Sequence, residues 1–185
     1  MQYSYINISF EVLEILFFRF FQILQLLKTF ATLNFPEVEL KTKQEGVGLF
    51  VFDGIRKKWL VLTPEEWVRQ HLVNYLVTHK SFPPSLISLE AGLKYNALSK
   101  RSDVLVYNKL GKPMLIIECK APEVAITQKV IEQVSVYNKT IGAAYLCVSN
   151  GLKHYCWTFN TILNKFDFLQ KIPHFKEIEE LNDSK

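Results

Sequence analysis

Three side chains near the middle of the chain have types and spacing that could do chemistry. They are Asp103, Glu118 and Lys120, within RSDVLVYNKLGKPMLIIECK, residues 101 to 120. Buried charge is costly unless it is paired or bound to metal. Successive side chains of a strand face opposite ways, so Glu118 and Lys120 share a face and Cys119 points into the packing behind them. A hairpin turning at 109 to 113 would bring Asp103, at the start of one strand, beside Glu118 and Lys120 at the end of the next. Two carboxylates and the Cys119 backbone carbonyl can hold a hard cation such as Mg²⁺, which keeps several waters. Such a cation acidifies a bound water and offsets charge on a phosphate, and a lysine beside it stabilises developing negative charge. A plain salt-bridged strand end is the other reading, and the hairpin alone leaves both open.

Several elements must position these groups. Residues 36 to 62 alternate apolar and polar residues and predict short strands, with a turn at Asp53-Gly54 followed by the basic Arg56-Lys57-Lys58, read as part of a solvated turn or else as a phosphate contact. Thr63-Pro64-Glu65-Glu66 is a helix start: Thr63 as N-cap, Pro64 at the first helical position, Glu66 completing a capping box. That helix is expected to run to about Thr78, where SFPPS breaks it. Strands are predicted at 85–95, 103–108, 114–119, 143–150 and 154–159, with a helix over 127–140. The order is helix, three strands, helix, strand, strand, a mixed α/β domain with its sheet flanked by helices. Gln133 and Tyr137 lie four apart on the second helix and share a face. A short connection from Lys120 can lay that face against the acidic end of the sheet.

Composition bounds the alternatives. The chain has 185 residues, 49% of them hydrophobic and 22% charged, with a net charge of +4, which is compatible with nucleic acid without arguing for it. Three cysteines (Cys119, Cys147, Cys156) with no CxxC spacing speak against zinc and against a disulfide framework, and fit reduced thiols in the cytoplasm. His71, His79, His154 and His174 are scattered in no metal-binding pattern, and there is no phosphate-binding P-loop.

Residues 10 to 30 are unlike the rest. Seven of the 14 phenylalanines fall in the first 35 residues, which marks a composition shift near 33–36. Glu11, Glu14, Arg19, Gln22, Gln25 and Thr29 form a polar stripe at helical spacing, and the charges argue against a membrane span. An amphipathic helix packed on the domain, a docking or membrane-surface helix, and an extension from a misplaced start all remain open. The expected organisation is therefore an extension at 1–33, a domain at 34–160 and a C-terminal tail at 161–185.

Taken in order, Asp103, Glu118-x-Lys120 and Gln133-x-x-x-Tyr137 resemble the PD-(D/E)xK nuclease superfamily. More narrowly they resemble the N-terminal nuclease domain of type I restriction enzyme R subunits, RecB-like in carrying a Gln-x-x-x-Tyr helix. The resemblance covers about residues 50 to 152, through VFDGIRKKWLVLTPEEWVRQHLV, KRSDVLVY, LIIECKAPE, QVSVYN and AYLCVSNGL. It implies a restriction-endonuclease-like αβββαβ core around a central mixed sheet, and DNA cleavage with Mg²⁺, for which Mn²⁺ can substitute. It implies Asp103 and Glu118 as metal ligands, Lys120 as the catalytic lysine, and Gln133 and Tyr137 as accessory residues. Many members add an acid from the first helix; Glu66 matches that position, with Glu65 beside it and Glu90 as a rival. Ser102 stands where the superfamily has proline. DNA is the implied partner, and Lys94, Lys100 and Arg101 could meet its phosphates. A separate motor or specificity subunit, or a second copy as a homodimer, would complete the assembly. A catalytically inactive member that binds nucleic acid or a partner is the alternative.

Overall fold

In the computed structural model the described residues are 12–15, 17, 30–46, 48–92, 101–160, 163 and 165–183. The chain divides into two compact units, Met1–Thr32 and Leu33–Lys185. In the first, residues 12–15 and 17 are helical, and most of the expected polar stripe lies outside the described residues.

The second unit opens with a three-stranded antiparallel sheet: β1 (Thr42–Glu45), β2 (Gly48–Asp53) and β3 (Lys58–Val61). Helix α1 (Pro64–His79) follows, and a 3-10 turn at Pro84–Leu86 leads into the main sheet. That sheet runs in sequence order: β4 (Ile87–Gly92), β5 (Arg101–Tyr107), β6 (Pro113–Cys119), β7 (Tyr145–Ser149), β8 (His154–Asn160) and β9 (Lys165–Leu169). Every pairing is antiparallel except β6 with β7, which is parallel. Parallel neighbours need a crossover, and α2 (Gln128–Ile141) supplies it. The sequence α1-β4-β5-β6-α2-β7 is the αβββαβ arrangement of the restriction-endonuclease-like fold, a mixed sheet flanked by helices.

Strand alternation splits the core into two layers. On one face Val104, Val106, Leu115, Ile117 and Cys119 pack with Val68, Leu72 and Leu76 of α1 and with Phe175 and Ile178 of α3 (Phe175–Asp183). On the other, Leu105, Ile116, Leu146 and Trp157 pack with Val130, Ile131, Val134 and Ile141 of α2. Leu72 and Leu76 are fully buried, so truncating either to alanine is worth about 2–5 kcal/mol. Helix α2 stops at Gly142, whose φ of +75° suits glycine and whose N–H returns to Asn138 O at 2.7 Å.

Two expectations need adjusting. The strand expected at 85–95 begins at Ile87 after the 3-10 turn, and residues 93–100, with Lys94 and Lys100, lie outside the described residues. Residues 161–185, expected as a tail, carry edge strand β9 and helix α3. Their charge obscures them in sequence, because few apolar residues, Leu169, Ile172, Phe175 and Ile178 among those described, reach the core there.

Candidate nuclease site

Residue pairing sets the site. Leu89 pairs with Val104 and Ala91 with Ser102, so Glu90 stands opposite Asp103. Val104 pairs with Ile117, so one residue further along Asp103 stands opposite Glu118. Three acids on three adjacent strands therefore lie in one row. Glu90 has φ of +53°, an uncommon conformation for a non-glycine residue, and its carboxylate forms ion pairs with Arg56 and Arg69.

Asp103 is fixed on both oxygens. Oδ2 accepts the Cys119 N–H at 2.7 Å, which ties the start of β5 to the end of β6. Oδ1 accepts from Arg69 Nη2 at 2.7 Å. Lys120 Nζ donates to Glu118 Oε1 at 2.6 Å, and the Lys120 backbone N–H reaches Ser149 O at 2.9 Å. Asn150 holds the segment just beyond, its side-chain amide donating to Val124 O at 2.9 Å. The expected convergence of Asp103, Glu118 and Lys120 is present in this geometry.

Helix α1 supplies two acids with different surroundings. Thr63 caps the helix by accepting the Glu66 N–H at 3.1 Å, but the Glu66 carboxylate does not complete the expected box. It turns instead to Arg56, Arg69 and Gln70, at 2.9 Å from Arg56 Nη2 and 2.8 Å from Gln70 Nε2. Buried guanidinium groups compete better for a carboxylate than a backbone N–H that has other partners; the Thr63 N–H bonds Val61 O. Glu65 is the acid whose charge is felt at Glu118 and Lys120. Burial and then the neighbouring Asp103 raise Glu65 above the ordinary carboxylate range. Glu118 is raised in the same way, by burial first and Asp103 second. Burial pulls Lys120 down, but its hydrogen bond to Glu118 and the surrounding acids outweigh this and raise it.

Behind this row lies a buried ionic network. Asp53 is wholly buried; its Oδ1 accepts the Ile55 and Arg56 N–H groups, closing the expected turn, and its Oδ2 accepts from Arg56 Nε at 2.6 Å and Gln70 Nε2 at 2.8 Å. Arg56, which the sequence suggests as part of a solvated turn, is thus folded inward onto Asp53, Glu66 and Glu90. Arg69 spans Glu65, Glu66, Glu90 and Asp103. The sequence reading missed Arg69, Gln70 and Asn150. The available signal was that Arg69 and Gln70 follow Glu66 at i+3 and i+4, which puts all three on one side of α1.

On α2, Tyr137 sits beside Ser102 and senses Glu118, with burial raising its phenol. Gln133, one turn earlier, is exposed. The Arg101 side chain and residues Lys94 and Lys100 lie outside what is described.

Among the described side chains of this region the charges do not balance: six carboxylates (Asp53, Glu65, Glu66, Glu90, Asp103, Glu118) face three cations (Arg56, Arg69, Lys120). Hard oxygen donors with a surplus of negative charge fit a divalent cation. Among the described residues no three His, Cys, Asp or Glu side chains are grouped closely enough to hold one by themselves. Asp103 and Glu118 would need the Cys119 carbonyl and waters to complete a shell, and Arg69 now holds one oxygen of Asp103.

The described residues contain no helix long and apolar enough to cross a membrane. The family model of the type I restriction enzyme R protein N terminus (HSDR_N) matches residues 64–173. Among solved structures, the chain is similar to the fragment structure of a putative HsdR subunit of a type I restriction enzyme from Vibrio vulnificus YJ016. The identity is 18% and the TM-score 0.49, over 66% of this chain and 26% of that one. The chain thus spans about a quarter of that relative's length. No curated protein matches.

Proposed function

The chain belongs to the family of the type I restriction enzyme R protein N terminus, and from that premise we propose that it is a Mg²⁺-dependent deoxyribonuclease. The observation that carries the reading is the row of Glu90, Asp103 and Glu118 across three strands, with Lys120 bonded to Glu118 at its open end. Asp103 and Glu118, with the Cys119 carbonyl, would hold the cation. When bound, Mg²⁺ supplies positive charge beside the scissile phosphate and acidifies a water for attack. Lys120, kept protonated by its acidic neighbours, stabilises the charge that develops on the phosphate. Cys119 N–H fixes Asp103 so that its carboxylate cannot rotate away from Glu118. Glu65 is better placed than Glu66 to serve as the helix acid, because Glu66 is consumed by Arg56, Arg69 and Gln70. Tyr137 borders the same end of the sheet, and Gln133 extends its face toward solvent. Mn²⁺ would substitute for Mg²⁺, and a separate motor or specificity subunit would deliver the DNA.

One observation favours a second reading, a binding-only member of the fold: Arg69 already neutralises Asp103. The two readings part in one experiment. Purified protein is incubated with supercoiled plasmid and with linear DNA, in Mg²⁺, Mn²⁺ or EDTA, beside Lys120→Ala. Metal-dependent cutting that the variant loses supports the nuclease. Equal cutting by the variant would sink the assignment of Lys120. DNA binding that ignores metal and survives Glu118→Ala, with no cutting, would favour the binding-only protein.

A further inference from the structure

The sheet formed by β1, β2 and β3 carries a second feature that the nuclease reading does not use. Along β2, Val51 and Asp53 are fully buried, so Phe50 and Phe52 lie on the opposite face. Residue pairing places Trp59 of β3 opposite Phe52, and Val61, 59% exposed, opposite Phe50. On the other side Lys43 pairs with Phe50, and the Lys41 carbonyl accepts the Phe52 N–H. Phe50, Phe52 and Trp59 are only half-buried, and none of them packs into either core layer. Their neighbours include each other and two lysines, of which Lys43 also pairs with the Glu45 carboxylate while Lys41 is left to the rings. Phe52 and Trp59 meet edge to face at 5.4 Å. Lys41 Nζ lies 5.2 Å from the Phe52 ring centre and 5.7 Å from that of Trp59; Lys43 Nζ lies 4.6 Å from Trp59 and 5.9 Å from Phe50. Gly48 lets the Phe50 ring lie close over the strand, since a Cβ there would sit 3.0 Å from it.

We propose that this aromatic and lysine-bearing face of the β1–β3 sheet is a binding platform for single-stranded nucleic acid. The ligand must offer flat aromatic groups and regularly spaced negative charge, which unpaired bases on a phosphate backbone do. Rings of this kind stack on bases without reading sequence, and lysines beside them neutralise phosphates. A duplex hides the faces of its bases, so it cannot use the rings in this way. The sheet joins the candidate site through its β2–β3 turn, where Asp53 and Arg56 bond Gln70 and Glu66 of α1. A strand held on the platform would therefore be attached to the same rigid element that carries Glu65. The platform does not depend on cleavage chemistry and can be tested apart from it.

The probe is a fluorescein-labelled oligothymidylate of about a dozen nucleotides, a length within the usual site sizes. Its binding to the full chain is followed by anisotropy in EDTA across a range of salt, with an unlabelled duplex as competitor. Trp59→Leu, which keeps apolar bulk but removes the ring, should bind about tenfold more weakly, and Trp59→Phe should recover most of the loss. Lys41→Gln should lower the slope of log affinity against log salt by about 0.7, as expected for one lost phosphate contact to a single strand. Thermal melting of each variant shows that the sheet is intact. Wild-type affinity in Trp59→Leu, no binding of the oligonucleotide by the parent protein, or equal competition by duplex would each overturn the platform. Plasmid cleavage in Mg²⁺, measured on the same variants, reports the nuclease reading separately.

Discussion

The network of Arg56 and Arg69 and the pair of Glu118 and Lys120 use the same kinds of group within one site, but their surroundings differ. The two arginine side chains are 10% and 6% exposed, and most of their partners come from α1, β4 and the β2–β3 turn. Glu118 and Lys120 are 22% and 26% exposed and end a strand. In the first region charge is spent on joining elements to one another. In the second it is left where solvent can reach it. Burial and the number of partners, rather than residue type, separate the two.

The largest effect expected from breaking that contrast is on cleavage. Lys120→Ala should lower the rate of DNA cutting by about a hundredfold or more, by loss of charge stabilisation. Its urea midpoint should stay close to that of the parent, because the pair is about a quarter exposed and water can reach the carboxylate it leaves. A fall in stability as large as the fall in rate would show that Lys120 belongs with the arginines.

Arg56→Ala should do the opposite. It strands Asp53 without its cation and takes one of two from Glu66, at a cost of about 3–5 kcal/mol in urea unfolding. A change below about 1 kcal/mol would mean that water or Arg69 takes over, and the network would not be a structural unit.

The two acids of α1 give a finer test. Glu66→Gln should cost about 1–3 kcal/mol, since two arginines lose a charged acceptor inside the fold. Glu65→Gln, at a side chain 43% exposed, should change stability by no more than about 0.5 kcal/mol while slowing cleavage. If slow cleavage follows Glu66 and leaves Glu65 untouched, the helix acid is Glu66 after all.

The smallest effect is one of pH, and its sign differs between the regions. Asp53 is held below the usual aspartate value: its hydrogen bonds and charge contacts, chiefly with Arg56, outweigh burial, which works against them. Its stabilisation is therefore present above the ordinary aspartate pKa and is lost as pH falls through the lowered native value. Glu118 is pushed up by burial and Asp103, so the folded chain holds that proton more tightly than the unfolded one. Ionising it costs stability, and the loss sets in as pH rises from the ordinary glutamate value through the raised native one. Unfolding measured from about pH 3 to pH 8 should lose its acid limb in Asp53→Asn and flatten toward neutral pH in Glu118→Gln. Equal slopes in both variants would remove the distinction.

Much of this site could be read along the chain. The alternation of LVY and LIIEC, the turn between them and the Gln-x-x-x-Tyr helix follow from local periodicity, so β5, β6, α2 and the pairing of Asp103 with Glu118 were legible before any coordinates. Thr63 as N-cap is likewise a local signal. Three things were not legible. Arg56 reads as part of a solvated turn, because nothing nearby in sequence shows that Glu66 and Glu90 will surround it. Glu66 reads as a capping residue, because its competition between a backbone N–H and two guanidinium groups exists only once α1 lies against the β2–β3 turn. Residues 161–185 read as a tail, because an edge strand and a helix anchored by few apolar contacts leave a weak pattern.

Sequence by itself determined that Asp103, Glu118 and Lys120 end neighbouring strands, which strands pair through a short turn and which helix follows, because these depend on neighbours a few positions apart. Only tertiary structure decided which acid meets which base. That choice rests on distances between α1, the small sheet and β4, and on how far each group is withdrawn from water, neither of which is a property of any short stretch of chain.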